Sequence, residues 1–243
     1  MRNPSAPAPA DGADKARYVR AMFSRIARRY DLMNGVMTLG MHRSWRRAAA
    51  RETIPIPDGP ALDLATGTGD LALDLHALHP HREIVAADFA EGMLAIAREK
   101  LSREARGHHL HLVAADALAL PFDARSFACV TSAFLLRNLA DLHQGLSEMR
   151  RVCRPGGRVV ALEITQSTVP GFTPLFRFYF HRVVPMVGRL VAADREAYTY
   201  LPQSVDRFLT PGELSGAMEA VGLRAVRYRR VGLGTIAIHT GVV

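Results

Sequence analysis

The sequence predicts an α/β protein: a doubly wound, mostly parallel seven-stranded sheet that ends in an antiparallel hairpin. A helical cap precedes the sheet, and a helical insertion follows the fifth strand. Three observations predict this. From residue 61 onward, short apolar runs alternate with stretches of helical periodicity, the pattern of successive β-α units. The first run, Ala61 to Leu64, meets the turn Gly67-Thr68-Gly69 and a helix opening near Asp70; open α/β sheets present ligand sites at such strand ends. The last two runs, 224–230 and 234–241, lie too close together for a crossover helix, so they pair as an antiparallel hairpin.

Taken in order, residues 1–14 are rich in Pro and Ala, carry no core-forming pattern and read as a disordered tail. Val19, Met22, Phe23, Ile26 and Ala27 recur at helical spacing. A turn is expected at Gly35, and a second, basic helix begins at Met41. Pro55, Pro57, Gly59 and Pro60 punctuate a loop into the first strand. Residues 15–60 are therefore the cap and 61–243 the main domain. The first strand is too short and too apolar for a surface position and belongs in the sheet centre. A helix continues to Leu78, and a second strand at 83–87 ends in Asp88. The helix at 91–103 shows Met93, Leu94, Ala97 and Leu101 on one face. Strands at 110–114 and 126–132 follow, then a helix at 142–152 closed by Pro155-Gly156-Gly157, then a strand at 158–163.

Residues 166–208 break the alternation. Phe172, Leu175, Phe176, Phe178, Tyr179 and Phe180 lead into the aliphatic run Val183 to Val191, with Arg177, Arg182 and Arg189 interspersed. An amphipathic lid over a greasy substrate, a membrane-surface contact and ordinary buried helices all share this composition. A helix at 211–221 leads to the final hairpin.

The chain has 243 residues, 49% of them hydrophobic, enough for a sizeable core. No apolar run reaches the length of a bilayer span, and the N-terminus lacks the apolar core of a signal peptide. Cys129 and Cys153 show no paired or metal-like spacing, so a reducing cytoplasm is expected and no metal is required. The net charge of +8 comes almost wholly from arginine, since Lys15 and Lys100 are the only lysines. Such charge suits anionic lipid headgroups as well as plain solvation. A peripheral position at the inner face of a membrane is compatible with it. No aromatic-interleaved basic run marks a nucleic-acid surface. The oligomeric state stays open, a homodimer included.

The chemistry concentrates at the strand ends. Gly67 to Ala72 also fits the dinucleotide pattern G-x-G-x-x-G/A, a weak signal alone. Asp63 and Asp70 flank the turn and would repel a pyrophosphate at close range. S-adenosylmethionine carries a sulfonium, an ammonium and no phosphate, and so suits an acidic turn. Asp88 stands about 20 residues past the turn, the distance at which an acid meets a ribose diol. Asp116, followed by Ala117, can accept a hydrogen bond from an adenine amino group.

These sheet motifs resemble a class I S-adenosylmethionine-dependent methyltransferase. The flanks resemble one family of them, the C-methyltransferases of menaquinone and ubiquinone biosynthesis. The resemblance rests on Phe23 to Asn34, His42 to Arg47, Phe134-Leu135-Leu136-Arg137-Asn138, the Pro-Gly-Gly turn and Asp194 to Pro202, and it covers nearly all of the chain from about residue 15. It implies methyl transfer from S-adenosylmethionine to a ring carbon of a polyprenylated quinol, demethylmenaquinol above all, or a methoxybenzoquinol precursor of ubiquinol. It also implies that Tyr30, Asp63, Gly67, Thr68, Gly69, Asp88, Asp116, Ala117 and Ala133 hold the methyl donor. Ala133 aligns with a cofactor-contacting serine of the family, with Ser132 one place earlier. There are departures: Ala65 at the turn's first glycine, Leu135 where the family carries glycine, and Ile164-Thr165-Gln166 in place of Phe-Ser-Lys.

A ring carbon becomes strongly nucleophilic when a neighbouring hydroxyl, with a pKa near ~10, loses its proton. Arg137 stays protonated and can stabilise the phenolate that forms, unless it pairs a buried acid instead. Asn138 can orient the hydroxyl or a water. Tyr200 and His239 are candidates for positioning and proton removal, although His239 follows the apolar run Ile236 to Ile238, where a purely structural histidine is equally expected. Three other readings compete: a methyltransferase for another small hydrophobic acceptor, an NAD(P)-binding oxidoreductase, and a non-catalytic quinone- or lipid-binding protein on the same scaffold.

Overall fold

The computed structural model describes residues 12–104, 109–188 and 194–243. The start of the expected tail and Arg189 to Val191 of the insertion lie outside the described residues. One sheet organises the rest. It contains β1 (Ala61–Leu64), β2 (Ile84–Asp88), β3 (Leu110–Ala114), β4 (Phe127–Ala133), β5 (Cys153–Ile164), β6 (Arg224–Val231) and β7 (Ile236–Val242), in the order β3-β2-β1-β4-β5-β7-β6. The first five strands are parallel, and β7 inserts antiparallel between β5 and β6. The order reverses beside β1, so the ends of β1 and β4 open a crevice there.

Strand alternation sorts the core into two layers. Leu62, Leu64 and Val130 face one layer, which holds Leu146 and Met149 of α5 (Leu142–Val152) and Leu214 and Met218 of α9 (Pro211–Ala220). Ala61 and Cys129 face the other, where Ala50 of α2 (His42–Arg51) meets Leu71, Ala72 and Leu75 of α3 (Asp70–Leu78). Helix α4 (Glu91–Glu104) flanks β2 and β3.

The cap departs from expectation in one respect. Helix α1 runs unbroken from Gly12 to Thr38, straight through Gly35. A glycine inside a helix costs only about 1 kcal/mol relative to alanine, and here the flanking Met33 and Met37 pack into the core cluster beneath the helix. The Pro155-Gly156-Gly157 turn lies within β5 rather than closing α5, which ends at Val152.

The insertion forms α6 (Phe172–Phe178), a π-helical turn (Tyr179–Val183), α7 (Val184–Val187) and α8 (Arg195–Asp206). Phe172, Phe176 and Phe180 stack in a ladder with ring centroids 6.1 and 5.1 Å apart. This side faces inward, while Leu175, Phe178 and Met186 remain exposed. No helix among the described residues is long and apolar enough to cross a membrane.

Helix α1 crosses α4 at Gly92, where a β-carbon would stand 2.7 Å from the Ser24 carbonyl oxygen and 2.8 Å from its α-carbon. Only the absence of that carbon lets the helices approach so closely. Gly92→Ala is therefore expected to lower stability by about 1–3 kcal/mol, as overpacking does. In α9, Gly216 faces open space, so Gly216→Ala is expected to raise stability by about 0.5–1 kcal/mol. Urea unfolding of the two variants checks both signs.

Candidate active site

Two cavities meet at the crevice. The first, of about 70 Å³, lies over the ends of β1, β2 and β4 and is lined by Tyr30, Ala65, Gly67, Asp88, Asp116, Ala117, Ala133 and Leu135, among others. The second, of about 630 Å³, lies between α1, α2 and the insertion, and its wall is overwhelmingly apolar. Phe23, Tyr30, Phe134 and Asn138 line both. They are the partition across which a group held in one cavity reaches a molecule held in the other.

The first cavity discriminates between kinds of nucleotide. An anion site at a helix N-terminus needs free backbone N–H groups. Here the Gly67 N–H donates to the Asp88 carboxylate at 2.8 Å, and the Gly69 N–H donates to the Thr66 carbonyl at 2.9 Å. The two glycine amides of the turn are thus already engaged and are not offered to a pyrophosphate. Asp88 also accepts the Ala90 N–H at 2.8 Å, which fixes its carboxylate at the cavity wall with lone pairs left for a diol. Burial pushes its carboxyl above the usual range, against the opposing effect of these N–H donors. Asp116 is exposed and accepts the Leu118 N–H at 2.9 Å through one oxygen, leaving the other free. Ala65, with φ of 56°, and Phe134, with φ of 62°, hold the left-handed conformation at the ends of β1 and β4, a strained geometry for residues with a β-carbon. An acid fixed on the wall, an acid on the rim and a turn whose glycine amides are engaged fit S-adenosylmethionine.

Three of the residues expected at the donor lie behind the cavity wall instead. Asp63 is buried under the turn, where its oxygens accept the hydroxyls of Thr66 at 2.6 Å and Thr131 at 3.1 Å. Burial pushes its carboxyl up to about 7. Thr68 turns away and donates its hydroxyl to Asp31 of α1 at 2.6 Å. Gly69 is the N-cap of α3, with φ of 87°. Asp70 is neutralised too: Lys100 bridges Asp70 and Asp31, and Arg46 reaches Asp70 at 2.8 Å. The repulsion of a pyrophosphate expected from Asp63 and Asp70 is thus weaker than the bare sequence suggests, because Asp63 is buried and Asp70 is paired. Asp31 gave no signal in the sequence, because its partners, Thr68 of the glycine turn and Lys100 of α4, stand far from it in the chain.

In the second cavity, Arg137 and Asn138 stand on the 3₁₀ turn Leu136–Asn138. Glu163, buried at the end of β5, accepts the Arg137 Nη1 at 2.8 Å and the Leu136 N–H at 2.6 Å. Burial pushes the Glu163 carboxyl up, against the pull of Arg137. Arg137 thus does pair a buried acid. Its Nε has no partner in the protein, and the residue still lines the cavity. Asn138 donates to the Phe134 carbonyl at 2.8 Å and accepts the Tyr200 hydroxyl at 3.0 Å. Tyr200 packs edge-on against Tyr18, with centroids 5.6 Å apart, and burial raises its pKa.

His239 does not join them. The twofold alternation of β7 turns it to the α9 face, away from Ile236 and Ile238. There Nε2 meets the Pro211 carbonyl at 2.9 Å and the ring stacks on Tyr228. It lines neither cavity, which leaves it no route to a proton in either. Leu135 lines the first cavity and not the second, so its bulk bears on the donor side.

Two predictions follow from these buried groups. Arg137→Gln leaves Glu163 unpaired and is expected to cost about 3–5 kcal/mol, while adding Glu163→Gln recovers most of it; equilibrium denaturation of the two singles and the double closes the cycle. Asp63, with its folded pKa raised, holds its proton longer folded than unfolded. The stability this gives is present at low pH and falls as pH rises from the ordinary carboxylate range through about 7. Asp88 and Glu163 are shifted in the same direction, so Asp63→Asn is expected to make that fall shallower in urea melts at pH 5 and pH 8, without abolishing it.

Comparison with known proteins agrees with this geometry. The family model described as the ubiE/COQ5 methyltransferase family matches residues 12–243. A demethylmenaquinone methyltransferase of Roseiflexus castenholzii is 47% identical over 232 residues, covering 94% of each chain. A ubiquinone/menaquinone biosynthesis C-methyltransferase UbiE of Hahella chejuensis is 39% identical, over 94% of this chain and 92% of that one. Among solved structures, a SAM-dependent methyltransferase of Thermotoga maritima superposes with a TM-score of 0.63 at 18% identity, over 91% of this chain and 98% of that one.

Proposed function

The chain belongs to the ubiE/COQ5 methyltransferase family, and on that premise we propose that it methylates a ring carbon of demethylmenaquinol, giving menaquinol, with S-adenosylmethionine as donor. The observation that carries this reading is the shared wall. A cleft suited to the donor opens through Phe23, Tyr30, Phe134 and Asn138 into a large apolar cavity suited to a prenylated ring. The naphthoquinol is favoured over the benzoquinol because the relative named for demethylmenaquinone is the more similar one.

In the first cavity, Asp88 binds the ribose diol, Asp116 and Ala117 meet the adenine, and Tyr30, Gly67 and Ala133 complete the walls. Bound there, S-adenosylmethionine supplies an electrophilic methyl on a sulfonium. The chain's own contribution is placement, since displacement in line needs the two reacting atoms near van der Waals contact. Asn138, held by Phe134 and Tyr200, orients the ring hydroxyl. Arg137, always protonated, stabilises the oxygen charge that develops inside a cavity poor in water.

The cavity mouth supports a second element of the reading. Val36, Leu39, Met41, Leu175 and Leu233 are exposed apolar side chains that also line the cavity. Arg43 of α2, Arg177 of α6 and Arg182 of the π-helical turn are also exposed. A greasy rim among arginines suits a bilayer surface with anionic headgroups, from which a prenylated quinol enters without crossing water.

The test is mass spectrometry of reduced quinols incubated with the protein and S-adenosylmethionine, presented both in detergent and in anionic vesicles. A mass gain of one methyl in place of a ring hydrogen on a demethylnaphthoquinol is expected. Leu39→Glu with Leu233→Glu is expected to lower turnover at least about tenfold in vesicles and to leave it nearly unchanged in detergent, because burying two carboxylates in lipid is costly. Donor binding without a mass gain on any quinol would remove the assignment.

A further inference from the structure

Arg137 is cationic at all working pH values and cannot take a proton. Tyr200 already donates its hydroxyl proton to Asn138. His239 lies on the other side of the sheet. No carboxylate lines the second cavity among the described residues. That leaves one imidazole on its wall, His42, at the start of α2.

The hydrogen bonds around His42 determine its tautomer. The Thr38 hydroxyl donates its single hydrogen to the Asn34 carbonyl at 2.6 Å. Its oxygen can then only accept from its remaining neighbours, and it lies 2.7 Å from His42 Nδ1 and 3.3 Å from the His42 backbone N–H. Nδ1 therefore carries the ring proton. Nε2 is the unprotonated nitrogen; no hydrogen bond engages it among the described residues, and it is not among their buried, unsatisfied polar atoms. This is the orientation logic of a general base: one nitrogen is held by a fixed acceptor and the other is presented as a lone pair. The signal in the sequence was the i,i+4 pair Thr38 and His42, which means nothing until the end of α1 and the start of α2 are placed in one turn.

We propose that His42 is the proton acceptor of the reaction, taking the hydroxyl proton of the quinol at Nε2. The proposal rests on the quinol-methylation reading above. The O–H bond breaks, its proton goes to Nε2, and the electron pair left on oxygen raises the nucleophilicity of the ring carbon. That carbon forms the new bond to methyl, while the pair of the broken S–C bond stays on sulfur. The ring hydrogen at the methylated carbon then leaves as the one proton released, and His42 returns its proton to the oxygen. No oxidant or further reactant is needed.

The environment keeps the imidazole in the competent form. Burial lowers the His42 pKa, and Arg46 and Arg43 on its own helix act in the same direction; Asp70 of α3 and Asp31 of α1 oppose them. The net direction favours the neutral ring, the form that can accept a proton.

The experiment compares His42→Asn and His42→Gln with the wild-type chain. Asn keeps an N–H near the position of Nδ1 to serve Thr38, and neither side chain is a base. Steady-state kcat on reduced demethylnaphthoquinol is followed from pH 5 to pH 9, with donor affinity measured separately as a check on folding. The expected result is an acidic limb in the wild-type kcat profile, lying below the ordinary histidine range because the His42 pKa is lowered. In the variants kcat falls about 10²–10⁴-fold, the limb gives way to a rate that keeps rising with pH, donor affinity is unchanged, and added imidazole restores part of kcat. A variant that keeps kcat within about threefold, with the wild-type acidic limb intact, would overturn the assignment. A wild-type chain that binds donor yet methylates no quinol would instead overturn the functional reading, and the role of His42 with it.

Discussion

The ion pair between Arg137 and Glu163 is the constraint on which the rest of the site depends. Glu163 ends a central strand with its carboxylate buried, and it holds both the Arg137 guanidinium and the Leu136 amide. Those two bonds fix the short turn after β4. That turn carries Asn138, follows Phe134, and so forms half of the partition between the two cavities. A buried pair of this kind adds little net stability, but it makes the loss of either partner expensive. Its value here is positional: a loop that would otherwise move is tied to the most rigid part of the molecule.

The other half of the partition comes from α1, and a second set of charges secures it. Asp31 receives Thr68 from the glycine turn and Lys100 from α4, while Asp70 joins Lys100 to Arg46 of α2. Arg25 reaches across to Asp194 at 2.5 Å and Glu196 at 3.1 Å, at the start of α8, and Tyr179 donates to the Met37 carbonyl at 2.7 Å. The first set joins the cap to the glycine turn and α4, and the second joins it to the insertion. Since α1 lines both cavities, the two substrates share one wall, and its position is set by polar contacts at its edges and by the close crossing at Gly92.

How much of this could be read from the sequence varied with the range of the interaction. The strands, their order of appearance and the final hairpin followed from local apolar runs and the spacing between them. Asp88 and Asp116 followed from their places at strand ends. The unbroken α1 did not, because the packing of Met33 and Met37 overrode the local turn signal of Gly35. Thr68 and Asp63 looked like ligand groups because they stand in the glycine motif, yet each faces away from the cleft toward a partner far off in the chain. His239 stood on a strand whose facing could not be told until its register against β5 was set, since a shift of one residue exchanges the two faces.

By itself the sequence determined the fold class, because that depends on periodicities contained within short windows, and the resemblance of its scattered motifs to one methyltransferase family implied the kind of reaction. The tertiary structure alone decided which polar groups look into the cavities and which hold the scaffold together. Glu163 became the anchor of Arg137, Asp31 the hub of the cap, and His42 the one imidazole among the described residues on the wall of the second cavity. A carboxylate, a hydroxyl or an imidazole has the same chemistry wherever it falls in a sequence. Its role is set by which neighbours desolvate it, pair it or leave one atom open, and only the folded chain supplies those.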